Sequence, residues 1–403
     1  MKKLQLHWQI LIALFLGILY GMYFPEYVKY ISWMGDIFLR ALRMVIVPLI
    51  LSSIISGVAN IGTAENLGRL GLKTMLYYIM TSTIAILTGL FFVNMIQPGV
   101  GADLGFSQEV EGLDMARDSF GQTLLKIIPT NIFEAFANGR MLSIIFFAII
   151  FGYFIIKAGS KSRKVLTNFF NATFDVMMKI TMFVIKFTPL GVFGIVALQV
   201  SRSSDILQLG QRMGIYMLSV LLALAIHAII TLPVLTRFIG KVNPLKHFKA
   251  VTTPLLTAFS TSSSSATLPL TMQAVEDNDG VSNKITSFTL PLGATINMDG
   301  TALYECVAAM FIAQAYGVDL TFFQQVIVVI TALLASIGAA GIPMAGLVMI
   351  TVILTAVGLP LEGVGLILAV DRILDMFRTA TNVWSDSCGA VIIAKSEGEK
   401  LKV

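Results

Sequence analysis

Apolar stretches recur through the first part of the chain, at roughly Trp8–Phe24, Phe38–Val58, Leu72–Ile96, Met141–Ile156, Val176–Val200 and Ile215–Ile239. A hydrocarbon layer about 30 Å thick is crossed by a helix of ~20 apolar residues, and each run approaches or exceeds that length. Hydrophobic residues make up 56% of the 403-residue chain and charged residues 13%, about half the charge of a soluble domain. Too few polar side chains remain to enclose one core. The chain reads as an all-α polytopic membrane protein. The runs are continuous, whereas barrel strands alternate apolar and polar residues, which excludes an outer-membrane barrel.

Charge sets the orientation. Lys2 and Lys3 open the chain, Lys157, Lys161, Arg163 and Lys164 follow the fourth run, and Arg237, Lys241, Lys246 and Lys249 follow the sixth. The segment after Pro98 is instead acidic, with Asp103, Glu109, Glu111, Asp114 and Asp118 against Arg117. The positive-inside rule then places both termini in the cytoplasm and the acidic loop outside a cell inner (plasma) membrane. No small-residue cleavage site follows the first run, so it reads as a span rather than a signal peptide. Pro189 and Gly191 predict a kink in the fifth run, and Gly121 to Arg140 reads as an ordered loop with an interfacial helix. Cys306 and Cys388 lack metal-ligand spacing, and His7, His227 and His247 are scattered, which argues against a histidine metal site. The net charge of +5 is not gathered into a basic patch with interleaved aromatics, so nucleic acid is not an expected partner.

After Lys249 the pattern changes. Residues 252–274 are apolar at both ends around Thr261-Ser-Ser-Ser-Ser-Ala-Thr267-Leu-Pro269. Residues 323–357 repeat this around Ser336-Ile-Gly-Ala-Ala-Gly341-Ile-Pro-Met-Ala-Gly346. Each arm is too short to span, so each segment reads as a re-entrant helical hairpin with a polar tip near the midplane, where irregular backbone survives only if buried in protein or lining a cavity. Each is followed by a polar-bearing span, Ile285–Ala315 and then Leu361–Lys395. The charges place the first hairpin on the cytoplasmic side and the second outside. The expected architecture is about eight transmembrane helices plus two re-entrant hairpins in inverted repeat, a pattern that points to a transporter with its site where the repeats meet.

The last span carries the chemistry. Asp371, Asp375, Arg378, Thr379, Asn382 and Asp386 recur at spacings of three and four, forming one polar stripe on a helix. A charged side chain at the centre of a membrane helix costs roughly 2.5–3.5 kcal/mol on insertion scales, so such a stripe lines a cavity, pairs internally or holds a ligand. One reading is an intrahelical Asp375–Arg378 pair that only offsets its own burial. The other is a midplane site for a zwitterion, with Asp375 on the ammonium, Arg378 as a bidentate fork on a carboxylate and Asp386 on a small cation. In the span between the hairpins, Gly293 and Gly300 flank residues whose carbonyls local unwinding would free, and Asn297 and Asp299 add hard oxygen donors suited to sodium. Tyr78, Thr81 and Ser82 in the third run read equally as helix-packing polar groups or as ligands.

Four motifs, TSSSSATLP, NMDGT, SIGAAGIPMAG and DRILDMFRTATNVWSD, together resemble the glutamate transporter family: sodium-coupled symporters of dicarboxylates and amino acids that include archaeal aspartate transporters and eukaryotic excitatory amino-acid transporters. The similarity covers essentially the whole chain and keeps the order of all four. It implies a substrate site for L-glutamate or L-aspartate on Ser263, Ser264, Thr301, the backbone at Ile342 and Gly346, and Asp375, Arg378, Thr379 and Asn382. It implies about three transported sodium ions. One would lie on backbone oxygens of Gly293, Asn297 and Asn382 with the Asp386 carboxylate. A second would use carbonyls around Thr295, Ser336, Ile337 and Ala339, and a third Tyr78, Thr81, Ser82, Asn297 and Asp299. The family is a homotrimer in the lipid bilayer whose transport domains slide as elevators past a scaffold. Here residues 1–70 would hold scaffold helices 1 and 2, 71–100 the mobile third span, 101–205 the extracellular loop and scaffold helices 4 and 5, and 206–403 the rest of the transport domain.

Departures from the family pattern are specific. Archaeal members carry an arginine in the first tip, where this chain has Ser262, and eukaryotic members carry one two residues before the position of Arg378, where this chain has Met376. Counter-transport of potassium (K+) therefore does not follow from the resemblance. Glu305 matches the eukaryotic glutamate linked to proton (H+) symport. Neutral amino acids and four-carbon dicarboxylates are the alternative substrates. Arg378 disfavours the first and Asp375 the second, because either would be left buried without its counter-charge. An intramembrane aspartyl protease using Asp299 and Asp375 is the enzymatic alternative, and it leaves both hairpin tips without a purpose.

Overall fold

The computed structural model describes residues 6–61, 68–101, 128–202, 206–338 and 345–403, and all regular structure among them is helical. Helices α1 (Leu6–Tyr23), α2 (Trp33–Ile61) and α3 (Gly68–Ile96) form from the first three apolar runs. The acidic segment 102–119 lies outside the described residues. So does the start of the connection expected from Gly121, but its latter part holds a short helix, α4 (Ile132–Ala137), capped by the Asn131 side chain. The next elements are α5 (Met141–Lys157), α6 (Ser160–Ile185) and α7 (Thr188–Arg202). The fifth run is thus split between two helices bent by 51°. The bend falls just before Pro189, because a proline in the first turn of a helix removes no hydrogen bond. Helix α8 (Ile206–Ile226) continues through a π-turn at His227–Thr231 into α9 (Leu232–Phe238).

Among the described residues, Trp33–Ala59, Arg69–Ile96 and Gly210–Phe238 are long and apolar enough to cross a membrane, and the bent α6–α7 pair adds a fourth stretch. Fewer segments meet that standard than the eight spans expected. Helices α1 and α5 are short, and the later segments are broken or carry charge.

The breaks fall at the motifs. Helix α10 (Pro244–Ala250) leads to α11 (Thr252–Thr261), which stops at Ser262 in a left-handed conformation with φ of 52°. Helix α12 (Ser264–Ala274) then starts from Ser263, whose hydroxyl accepts the Ala266 N–H at 3.2 Å. Helices α13 (Asn283–Ile296) and α14 (Asp299–Ala315) are separated by Asn297 and Met298, the unwinding expected between the two glycines. Helices α15 (Phe322–Gly338) and α16 (Ala345–Val357) pack on each other, with residues 339–344 between them outside the described set. Helix α17 (Val364–Ser396) is continuous and carries the whole polar stripe.

Two groups of helices result. Helix α1 lies along α7, and α2 lies against α5, α6 and α7. Small residues let the first pair approach: a Cβ on Gly21 would stand 2.6 Å from the Ala197 carbonyl oxygen. Close backbone approach replaces the hydrophobic effect as the means of joining helices in lipid. The second group gathers α3, α8, α15, α16 and α17 around α14, which is buried from Asp299 through Ala313, and α13 lies against α17. The chain end closes this group. Lys402 N–H donates to the Asp279 carbonyl at 2.8 Å, and Ser282 donates to Glu399. Hydrogen bonds from Arg69 and Lys73, both 2.6 Å, hold the Glu397 carboxyl below the usual range.

Candidate functional site

Arg378 is fully buried in the middle of α17. Its Nη2 donates to Asp375 Oδ1 at 2.7 Å and lies 3.3 Å from Asp371 Oδ1, while its guanidinium carbon stands 3.9 Å over the Tyr304 ring. Tyr304 in turn donates its hydroxyl to Asp371 at 2.7 Å. The intrahelical pair is therefore present, but it uses one nitrogen of three. Nε and Nη1 have no hydrogen-bond partner among the described residues. Buried guanidinium donors left unpaired cost on the order of 1–3 kcal/mol or more, so the arrangement suits an incoming carboxylate.

The surroundings of these donors come from the expected segments. A Cβ on Gly346 would lie 2.9 Å from Arg378 Nη1 and 3.5 Å from Thr301 Cγ2, so the start of α16 faces the guanidinium at close quarters. Thr301 accepts from Asn382 Nδ2 at 3.1 Å, and Asn382 Oδ1 accepts the Gly300 N–H at 2.8 Å. A Cβ on Gly300 would stand 2.6 Å from the Arg378 carbonyl oxygen, so only glycine lets α14 meet α17 here. Phe259 near the end of α11 meets Phe377 edge-on at 5.0 Å, bringing the first serine tip to α17, where Ser263, Ser264 and Thr379 are buried. Ile342 lies outside the described residues.

One to two turns further along α17 is a cluster of hard oxygens. Asp386 Oδ1 accepts from Asn297 Nδ2 at 2.9 Å, and a Cβ on Gly293 would lie 2.5 Å from the same oxygen. Asp299 accepts from Ser82 at 2.6 Å and from Ser385 at 2.6 Å, and Thr81 lies 3.3 Å from Asn297 Oδ1. Tyr78 donates to the Thr289 carbonyl at 2.7 Å. Asn297 thus belongs to both arrangements. Charge, hardness and burial all fit a small monovalent cation. The remaining expected set is less drawn together. Thr295 is exposed and bonds within its own helix, Ser336 is buried and donates to Leu333, Ile337 follows it on α15, and Ala339 lies outside the described residues.

Sequence reasoning missed two members. His227 Nε2 lies 3.1 Å from Asp299 Oδ2, both groups fully buried, and Ser385 supplies a second donor to the same oxygen. The scatter of the histidines along the chain concealed this. A histidine inside the apolar run Ile215–Ile239 was the available signal, since ionisable groups at such depth are expensive. Among the described residues no group of three metal-ligating side chains of the histidine, cysteine and carboxylate kind occurs. Asp299 and Asp375 have separate partners, the first His227 and two serines, the second Arg378 at 2.7 Å and Arg372 at 3.8 Å.

Buried charges grouped on apolar helices, with open hydrogen-bonding capacity at a guanidinium, define a membrane carrier for a charged solute. The chain belongs to the sodium:dicarboxylate symporter family, whose model matches residues 6–396. It is 37% identical to a proton/sodium-glutamate symport protein of Geobacillus stearothermophilus, over 99% of this chain and 96% of the relative. It is 36% identical to the proton/glutamate-aspartate symporter of Escherichia coli (strain K12), over 98% and 93%. It is 37% identical to excitatory amino acid transporter 3 of Oryctolagus cuniculus, over 100% and 88%.

Proposed function

We infer that the chain is a sodium-coupled symporter of acidic amino acids, glutamate and aspartate. The carrying observation is the buried Arg378, held by Asp375 on one nitrogen and open on two others, on the helix that also presents Asp386 to Asn297. The side-chain carboxylate would take the open donors, the ammonium would take Asp375, and Thr301, Thr379, Asn382 and the tip serines would fix orientation. Sodium ions at Asp386 and Asp299 lower the cost of placing an anion nearby, which makes binding of ions and substrate reciprocal. The printed names of the relatives support the same substrates and ions. A neutral amino acid would leave the two open donors of Arg378 unpaired, and a dicarboxylate would bring a second anion beside Asp375 with no ammonium for it.

The finer reading follows the resemblance. The group α1, α2, α5, α6 and α7 is the scaffold of a homotrimer, and α3 with the elements from α8 onward forms the unit that travels. The helix pairs α11–α12 and α15–α16 are the re-entrant hairpins, and both termini lie in the cytoplasm of a cell bounded by this plasma membrane. Calorimetry with a panel of amino acids tests the function. Aspartate or glutamate should bind tightly with sodium and weakly without it, and succinate and alanine should bind weakly in both. Sodium-independent binding, or a preference for succinate, overturns the assignment.

Glu305, one turn beyond Thr301 and fully buried with neither carboxylate oxygen bonded among the described residues, is the proposed proton carrier. Three sodium ions, one proton and one monoanionic substrate would move about three net charges, roughly 7 kcal/mol per 100 mV. In proteoliposomes at zero potential, an inward proton gradient should accelerate uptake. Glu305→Gln should lose that acceleration and keep sodium-dependent exchange. Wild-type uptake indifferent to the gradient removes Glu305 from the cycle.

A further inference from the structure

A second buried histidine–aspartate couple lies outside the site. His247 on α10 places Nδ1 2.9 Å from Oδ2 of Asp279, the last residue of the π-turn Val275–Asp279 after α12, and both side chains are fully buried. The carboxylate makes Nδ1 the protonated nitrogen and fixes the ring plane. That plane stacks on the Trp384 indole, with centroids 5.0 Å apart and 23° between planes, and Phe248 meets the same indole edge-on at 5.6 Å. The indole N–H donates to the Ala228 carbonyl at 3.0 Å.

Both attachments of Trp384 lead to Asp299. Along α17 the next residue, Ser385, donates to Asp299 Oδ2. Across the bond to Ala228, the preceding residue, His227, lies 3.1 Å from the same oxygen. The indole therefore sets the spacing between α17 and the π-turn at His227–Thr231, the two backbones that supply Asp299 Oδ2 with its partners. Nothing in the substrate or ion assignments uses His247, Asp279 or Trp384.

We propose that His247, oriented by Asp279, is a positioning residue for sodium binding, which it serves by holding the Trp384 ring between α17 and the His227 turn. This rests on the reading of Asp299 as a cation ligand. Because its described contacts run through Trp384 to the partners of Asp299, the expected signature is that sodium affinity changes and substrate recognition does not. Removing the stack takes away one support of the indole, the two partners of Asp299 Oδ2 lose their fixed spacing, and the cation meets a less preorganised cage.

Trp384 is one of three tryptophans, and Trp8 and Trp33 are exposed. Full-length protein carrying Trp8→Phe and Trp33→Phe therefore reports on Trp384 alone by fluorescence. Sodium chloride titrated into this protein should change its emission, with choline chloride as the control for ionic strength. In the same background His247→Ala, and His247→Ala with Asp279→Asn to avoid an unpaired buried carboxylate, should move the sodium midpoint about tenfold upward. Aspartate affinity at saturating sodium, read by calorimetry, should stay within about twofold. Trp384→Phe in the native background keeps an aromatic face but cannot donate to Ala228, and its calorimetric sodium midpoint should shift the same way. A midpoint unchanged within twofold in the histidine variants overturns the proposal. If those variants do not fold, an unchanged midpoint in Trp384→Phe overturns it equally. If sodium leaves wild-type substrate binding unaltered, the function assigned above fails instead, a result separate from either.

Discussion

Arg378→Ala should abolish useful affinity for aspartate and glutamate while small neutral amino acids gain access. The variant removes both open donors, of which Nη1 faces Gly346, together with the nitrogen that holds Asp375. Truncating one member of a buried, hydrogen-bonded charge pair costs about 2–5 kcal/mol, a loss of roughly 30- to 5,000-fold in affinity. Asp375 remains for the ammonium, so serine or alanine should bind measurably where they did not before. Arg378→Lys should recover only part of the loss, because an ammonium cannot make the two parallel bonds of a planar fork. Calorimetry at saturating sodium decides this: wild-type aspartate or glutamate affinity in Arg378→Ala places the carboxylate elsewhere.

Asp386→Asn should uncouple sodium from substrate. The carboxylate is the only formal charge in its arrangement with Asn297 and Gly293, and the neighbouring charge of Asp299 is shared among Ser82, Ser385 and His227. An isosteric carboxamide keeps the volume and loses the charge. The expected result is a rise of at least about tenfold in the sodium concentration that half-saturates aspartate binding, with a shallower dependence of affinity on sodium. Folded yield should change less than the sodium midpoint. An unchanged sodium titration takes Asp386 out of the ion site.

Much of this site is legible in the sequence because buried charge in lipid demands a reason. The stripe from Asp371 to Asp386, the break at Asn297–Met298 and the stop at Ser262 each violate the apolar periodicity around them, and each lies at the site or beside it. The kink near Pro189 was readable for the same reason, though the helix break lies just before the proline, where chain stereochemistry favours it. Two things were not legible. His227 reaches Asp299 only through the packing of α8 on α14 and α17, a contact across 72 positions that no local pattern announces. Tyr304 and Asp371 form the cushion of Arg378 by the same kind of remote juxtaposition. The sharing of Arg378 between pairing and availability emerges only in the folded structure, since spacing alone allows the pair or the open fork.

The position of α3 has a consequence for the order in which the protein is made. Its polar face is satisfied by residues far down the chain: Tyr78 by Thr289, 211 positions on, Ser82 by Asp299, 217 on, and Tyr77 by Ser385, 308 on. At 5–20 residues per second, α3 leaves the ribosome roughly 10–60 s before those partners exist. During that interval a helix bearing Tyr77, Tyr78, Thr81 and Ser82 must wait in or beside the bilayer without them; a hydroxyl such as Thr81 can pair with its own backbone meanwhile, as it still does at 3.1 Å to the Tyr77 carbonyl. The delay is shorter in α2, whose Ser56 donates to Asn171, 115 positions on, so the nascent chain acquires a half that settles early and a half that waits. A ribosome that stops short of Thr289 releases a chain in which α3 has been inserted and none of these three partners exists.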